Sequence, residues 1–222
     1  MDAVLKVGGS LAEKPESLKA LCQQLMVLAK KYRIVVVPGG GTFADAIREM
    51  DKTFGLSDTV AHELAVRAMD QYGLLLADIT PNSWIFDDIT EAKNAPNNML
   101  PIFLPSKHVI TQDPLPNSWD VTSDSIAAYV AGLLHSKMLV LVTNVDGVYC
   151  EDPKQNKDTT LIDQITAKEL QSWKRRTSVD KMLPTVLLQN RLDCFVVNGN
   201  YPERIRAVLE NRKTVCTQIT VC

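Results

Sequence analysis

Residues 34–45 read IVVVPGGGTFAD. An apolar, β-branched run ends in three consecutive glycines and then gives way to a stretch with helical spacing. β-Branched residues suit a pleated strand. Glycine costs backbone entropy, so a triplet at such a junction needs a reason. One reason is a tight turn, and another is a ligand that must touch bare backbone. A second junction of the same kind lies upstream, where the apolar run 3–7 ends in KVGGS, with Lys6 two residues before Gly8.

Working outward, strands and helices alternate. Residues 16–31 place Leu18, Leu21, Leu25 and Leu28 at helical spacing, and 33–38 is a strand. Helices follow over 42–53 and 58–72, the second with Asp58 as its expected N-cap and Ala61, Leu64, Ala65 and Ala68 on one face. The segment 79–118 holds six of the eleven prolines. It reads as irregular chain with short strands near 84–87 and 101–110. Beyond it come an Ala-rich helix over 124–134, a strand over 138–143, a helix running on from Lys181 to 190, a last strand over 193–197 and a helix over 202–210 that opens on Pro202. The strands are apolar throughout rather than alternating, which marks a mostly parallel sheet covered on both faces. The expected architecture is a three-layer α/β/α sandwich.

Composition narrows the function. The chain has 222 residues, 45% hydrophobic and 23% charged, with a net charge of −2. Nucleic-acid binders usually carry a basic surplus, and the one basic cluster, Lys174-Arg175-Arg176, reads as a solvated loop. The five cysteines (22, 150, 194, 216 and 222) form no C-x-x-C pair, so neither a zinc site nor a disulfide framework is indicated. No signal peptide is expected, since residues 1–11 enter a strand directly, and no apolar run approaches a membrane span. A cytoplasmic protein with no nucleic-acid or membrane partner is expected.

Two glycine clusters at strand-to-helix junctions favour phosphate. Ligands of open α/β sheets bind outside the carboxyl ends of strands, where helix N-termini offer free N–H groups and a positive dipole end. Neither cluster is a P-loop or a G-x-G-x-x-G fingerprint. Phosphoryl transfer asks for positioning and positive charge more than for covalent help. Lys6 and Lys181 can supply charge, and Asp124 can hold those lysines in place as it starts its helix. Taken singly, Lys6 reads equally as a surface strand residue, Asp124 as an N-cap and Lys181 as an exposed lysine.

Five blocks then resemble the amino acid kinase family in order: KVGGSL, VVPGGGTFAD, TSDSIAAYVAG, LVTNVDGVYCEDP and VVNGNYPERIRAVLE, spanning residues 4 to about 210. The resemblance implies a single domain over 1–222, with an acceptor-side lobe over about 1–130 and a nucleotide-side lobe over about 131–222. It implies a small-molecule kinase that uses ATP and Mg²⁺ and assembles as a homo-oligomer. Carried over by residue, Lys6, Gly8, Gly9 and Ser10 would face the ATP phosphates. Gly39, Gly40 and Gly41 would lie along the acceptor and the transferred group, and Asp124 would be the organising carboxylate. Thr143, Asp146, Tyr149, Asp152 and Pro153 would border the nucleotide. Lys181 matches the second lysine of many members, although Ser178-Val179-Asp180 replaces their glycine-rich lead-in.

The acceptor is narrower still. Isopentenyl phosphate kinases carry a histidine a few residues after the triplet, where this chain has Thr42-Phe43-Ala44-Asp45-Ala46. Uridylate kinases lack the Trp-Asp before the T-x-D block. LPNSWDVTSDSIAA and GLSDTVAHELAVRAMD instead resemble short archaeal-type kinases that phosphorylate [5-(aminomethyl)furan-3-yl]methyl phosphate on the way to methanofuran. On that reading Trp119 stacks on the furan, Asp120 pairs with the ammonium, Thr122 borders the acceptor and Arg67 reaches its phosphate. His62 reads as structural, and His108 and His135 show no partner. Uridylate, aspartate and acetylglutamate kinases, or a non-catalytic nucleotide-binding protein, stay open as alternatives.

Overall fold

The computed structural model describes residues 1–151, 156, 158–173 and 177–221. Among the described residues, eight strands form one sheet, in the order β3-β4-β2-β1-β5-β7-β8-β6. The central strands are β1 (Ala3–Val7), β2 (Ile34–Pro38) and β5 (Leu139–Thr143). Toward one edge lie β4 (Leu100–Phe103) and β3 (Ser83–Phe86). Toward the other lie β7 (Cys194–Asn198), β8 (Thr217–Thr220) and β6 (Gln164–Thr166). All pairings are parallel except β7 with β8.

Because side chains alternate across a strand, the central strands feed two cores. Leu5, Val7, Ile34, Val36, Val140 and Val142 face α1 (Pro15–Ala29) and α8 (Glu203–Leu209). Val4, Val35, Val37, Leu139 and Leu141 face α5 (Ser123–Leu133) and α7 (Leu183–Asn190). The helix α3 (Asp58–Asp78) gives Val66 and Met69 to the second core and Tyr72 and Leu76 to the first. In α5 the wholly buried Ala127, Ala128 and Ala131 let the helix lie close on the sheet.

The glycine triplet owes its bareness to packing between two loops. A Cβ on Gly9 would lie 2.1 Å from Gly41 Cα, and one on Gly39 would lie 2.8 Å from the Gly9 nitrogen. Gly41 itself has φ +55°, a left-handed value that glycine adopts without penalty. It opens α2 (Gly41–Phe54). The loops after β1 and β2 therefore meet backbone to backbone, before any ligand is considered.

Several expectations are corrected. Ser57, not Asp58, caps α3, its side chain accepting from the Val60 amide, and α3 runs six residues past the expected end at 72. The segment 101–110 is not all strand. After β4 it turns at Pro105 into α4 (Ser106–Gln112), whose β-branched Val109 and Ile110 suggest a strand. Asp70 of α3 overrides that propensity by accepting from both the Ser106 amide and its hydroxyl. The strand 193–197 is not the last. The short, half-polar β6 and β8, and α6 (Ala167–Ser172), carried too little periodicity to be seen.

Leu5 is wholly buried at the centre of the sheet. Leu5→Ala is expected to lower the free energy of unfolding by about 2–5 kcal/mol, read as a lower urea midpoint at unchanged slope.

Candidate active site

The site lies at the carboxyl ends of β1, β2 and β5, where the loops bring their glycines together. Lys6, the one charged residue of β1, follows Val4 on the α5 face of the sheet. Its Nζ sits 2.8 Å from Asp124 Oδ1, with the two side chains only 12% and 9% exposed. Thr122 caps α5, its hydroxyl accepting from the Asp124 amide. Asp124 thus stands in the first turn, where the helix dipole favours a negative charge. Its other oxygen, Oδ2, accepts from the Asp180 amide at 3.1 Å. The expectation that Asp124 starts its helix holds, but it is not the cap.

Asp180, which sequence reading treated only as a departure from a motif, is the hub. It is 3% exposed. It accepts from the amide and hydroxyl of Thr122 and of Ser125, at the start of α5. It also accepts from the amides of Met182 and Leu183, at the start of α7. One carboxylate therefore caps two helices from different parts of the chain. Burial pushes its carboxyl above the usual range, and the neighbouring Asp124 charge adds to that, while the Ser125 and Thr122 donors oppose it. The signal in the sequence was an aspartate three residues before the helical run LPTVLLQN, a spacing that suits capping.

A cleft of about 460 Å³ opens beside this pair. Lys6, Gly8, Gly9, Ser10 and Asp124 line it, as do Gly40, Gly41, Thr122 and Thr143. Gly39 backs onto Gly9 rather than lining the cleft. Tyr72, wholly inside the core, donates its hydroxyl to the Gly8 carbonyl at 3.3 Å and braces the first loop. Burial raises that phenol far above its usual pKa. The sequence marks Tyr72 only as the end of a helix.

The acceptor wall differs from expectation. Trp119 lines the cleft, but its ring carries the Arg48 guanidinium 4.8 Å from its centroid, and its Nε1 donates to Asp51 at 2.8 Å. Asp120 does not line the cleft and pairs with Lys181 at 2.9 Å. Lys181 is therefore not held by Asp124, and its ammonium lies outside the cleft. Arg67 pairs with Glu63 on the outer face of α3 and does not line the cleft either. His62 does. The two α3 residues thus exchange the places expected of them, and Arg48, overlooked in the sequence, supplies the cation on this wall. His108 has a partner, the Tyr129 hydroxyl at 3.3 Å.

Beyond Thr143, Asp146 accepts from Arg204 at 2.6 Å and from Asn198 at 3.0 Å, which ties the β5 loop to the NGNYPER segment. The Arg204 guanidinium also lies over Tyr201. Tyr149 bridges to Leu161, away from the cleft. Asp152 and Pro153 lie outside the described residues.

Comparison with known proteins agrees with this geometry. A family model described as the amino acid kinase family matches residues 1–198. The chain belongs to the amino acid kinase family. It is 35% identical over 221 residues to the [5-(aminomethyl)furan-3-yl]methyl phosphate kinase of Methanocaldococcus jannaschii, covering 97% of this chain and 96% of that one. It is 27% identical to the uridylate kinase of Methanococcoides burtonii, over 98% and 94% of the two chains. The solved uridylate kinase of Archaeoglobus fulgidus superposes with a TM-score of 0.78 at 22% identity, covering 99% of this chain and all of that one. The likeness confirms the fold. As a member of this kinase family, the chain is a phosphotransferase acting on a small molecule. No helix among the described residues is long and apolar enough to cross a membrane.

Asp180→Ala would leave six donors facing no acceptor, and is expected to cost about 3 kcal/mol or more, measured by chemical denaturation. His62 gives a pH test. Burial pushes its imidazole below the ordinary range, and Asp113 only partly offsets this. A depressed histidine contributes stability above its unfolded pKa of about 6.5, and that stability is lost as pH falls through the lower folded value. An NMR titration of His62 is expected to show a midpoint below about 6.5, and His62→Gln is expected to abolish that part of the acid-side loss.

Proposed function

We propose that this chain transfers the γ-phosphoryl group of ATP to [5-(aminomethyl)furan-3-yl]methyl phosphate, giving its diphosphate in methanofuran biosynthesis. The observation that carries this reading is the buried Lys6–Asp124 pair beside a cleft lined by bare glycine backbone. The named relative at 35% identity over nearly the whole chain supports the choice of acceptor.

The residues suit two sets of phosphates. The loops after β1 and β2 keep a Cβ from the space between them, and the first amides of α2 have no intrahelical partner. In this reading Gly8, Gly9 and Ser10 hold the donor phosphates, while Gly40 and Gly41 border the transferred group and the acceptor. Thr143 borders the nucleotide, with Asp146 held behind it by Arg204 and Asn198. The acceptor side falls mainly within 1–130 and the nucleotide side mainly within 131–222. A Mg²⁺ ion accompanying the phosphates keeps several waters and needs only one or two carboxylates. Asp124 is the carboxylate that lines the cleft beside Lys6, and the ion would supply further neutralising charge.

The chain's own work is electrostatic. Lys6 places a positive charge where negative charge develops, and it is pre-positioned there by Asp124, so nothing reorganises during transfer. No general base is required. The acceptor is itself a phosphate, whose second pKa is about 6, so its attacking oxygen is already ionised near neutral pH.

The experiment is ATP consumption with Mg²⁺ against a panel holding the aminomethylfuran phosphate, UMP, isopentenyl phosphate, aspartate and acetylglutamate. Fast turnover of the furan phosphate alone is expected. Preferential turnover of UMP would overturn the acceptor and keep the kinase. Lys6→Met is expected to lower kcat by about 10²-fold or more, with Lys6→Arg retaining more activity than Met.

A further inference from the structure

One helix carries an ordered set of charges along the acceptor wall. Gly41 and Thr42 begin α2 and line the cleft, and Asp45 and Arg48 line it further along. The helix start offers N–H groups and the positive end of the dipole. Asp45 places a negative charge about 6 Å farther along the axis, four residues at the helical rise. Arg48 follows one turn later and donates from Nη1 to Asp45 Oδ1 at 2.7 Å. Its guanidinium rests over the Trp119 ring, and Trp119 is fixed in turn by Asp51. Asp45 is therefore held from one side. Oδ1 takes the guanidinium, and Oδ2 has no hydrogen-bond partner among the described residues.

A surface with N–H donors at one end and a carboxylate one turn away is complementary to a zwitterion with an anion and a cation at that separation. We infer that Asp45 is the specificity-determining residue that takes the acceptor's ammonium group, with Arg48 and Trp119 as positioning residues that hold its carboxylate toward the cleft. The inference rests on the acceptor reading proposed above. In that acceptor, two methylenes and the furan ring separate phosphate from ammonium, a span comparable to one helical turn. The apolar Ala65, Val66, Met69, Val121 and Ile126 line the same cleft and give the ring an unpolar neighbourhood. A carboxylate has lone pairs enough for both cations. Asp120, the residue the sequence suggested for this contact, is occupied by Lys181 outside the cleft. Glu13 lines the cleft but forms no ion pair among the described residues that would orient it. By this inference, α2 measures the distance between the two charges of the substrate.

The test compares two acceptors, the aminomethylfuran phosphate and the analogue with hydroxymethyl in place of aminomethyl. Wild type is expected to favour the amine in kcat/KM. Asp45→Asn, at an exposed position where the fold tolerates change, is expected to reduce that preference about tenfold or more, the worth of a charge-assisted hydrogen bond, chiefly through KM for the amine. The KM for ATP is expected to stay as it was. Asp45→Glu should keep part of the preference. Calorimetric binding of the amine acceptor without ATP should weaken in parallel for Asp45→Asn. An unchanged preference in Asp45→Asn, or its loss in Glu13→Gln instead, overturns the assignment while leaving the proposed reaction intact. If wild type turns over neither furan phosphate, the proposed reaction fails first and this assignment falls with it.

Discussion

The structure turns on one buried carboxylate, Asp180, which satisfies the open ends of two helices at once. Helix N-termini expose amides that must find partners. Here α5 and α7, more than fifty residues apart in sequence, share a single acceptor set. The amide of the same residue holds Asp124, and Asp124 holds Lys6. A continuous polar chain therefore runs from the α7 start to the central strand, through a region otherwise made of apolar core. Such networks specify geometry when every member is satisfied, and no buried side-chain polar atom among the described residues lacks a partner.

That chain places a cation without leaving it free. Lys6 lies on the central strand of a sheet covered on both faces, so its position along the chain is set by the register with β2 and β5. Its rotamer is set by Asp124. Burial pushes the Asp180 carboxyl up, and the neighbouring Asp124 charge adds to that. The hydroxyls and amides around Asp180 are what keep the arrangement tolerable, since an isolated buried charge is costly and one with several donors is not.

Much of this was legible in the sequence, and the misses have physical causes. The junctions at Lys6-Val7-Gly8-Gly9 and Pro38-Gly39-Gly40-Gly41 stood out because β-branched runs and glycine doublets are local signals. So did the central strands, since burial on both faces makes them apolar apart from Lys6 and the terminal Thr143. The edge strand β6 and its neighbour β8 did not, because both are short and half polar and show no continuous apolar run. The α4 helix was hidden by its β-branched residues, whose propensity the two hydrogen bonds from Ser106 to Asp70 offset. Within the site, Lys6 and Asp124 were found by type and position. Asp180, Tyr72 and Arg48 were not, because what each does depends on a residue far away in sequence: Thr122 for the first, Gly8 for the second and Trp119 for the third. Asp120 and Arg67 fall outside the cleft for the converse reason. Each is of the right chemical type but is already engaged, by Lys181 and Glu63 respectively.

The meeting of Gly9 and Gly41 also has a consequence for how this chain can change over generations. A methyl group on Gly9 would run into the Gly41 backbone, and Gly41 is held to glycine by its own left-handed φ of +55°. The two loops are thus joined in sequence space as well as in space. A side chain at Gly9 is admitted only after Gly41 has moved, and Gly41 resists replacement through its backbone angle. Variation that alters what the protein acts on is therefore channelled away from the glycines and onto the outward turns of α2 and α3, where side chains meet the cleft without meeting each other's backbone.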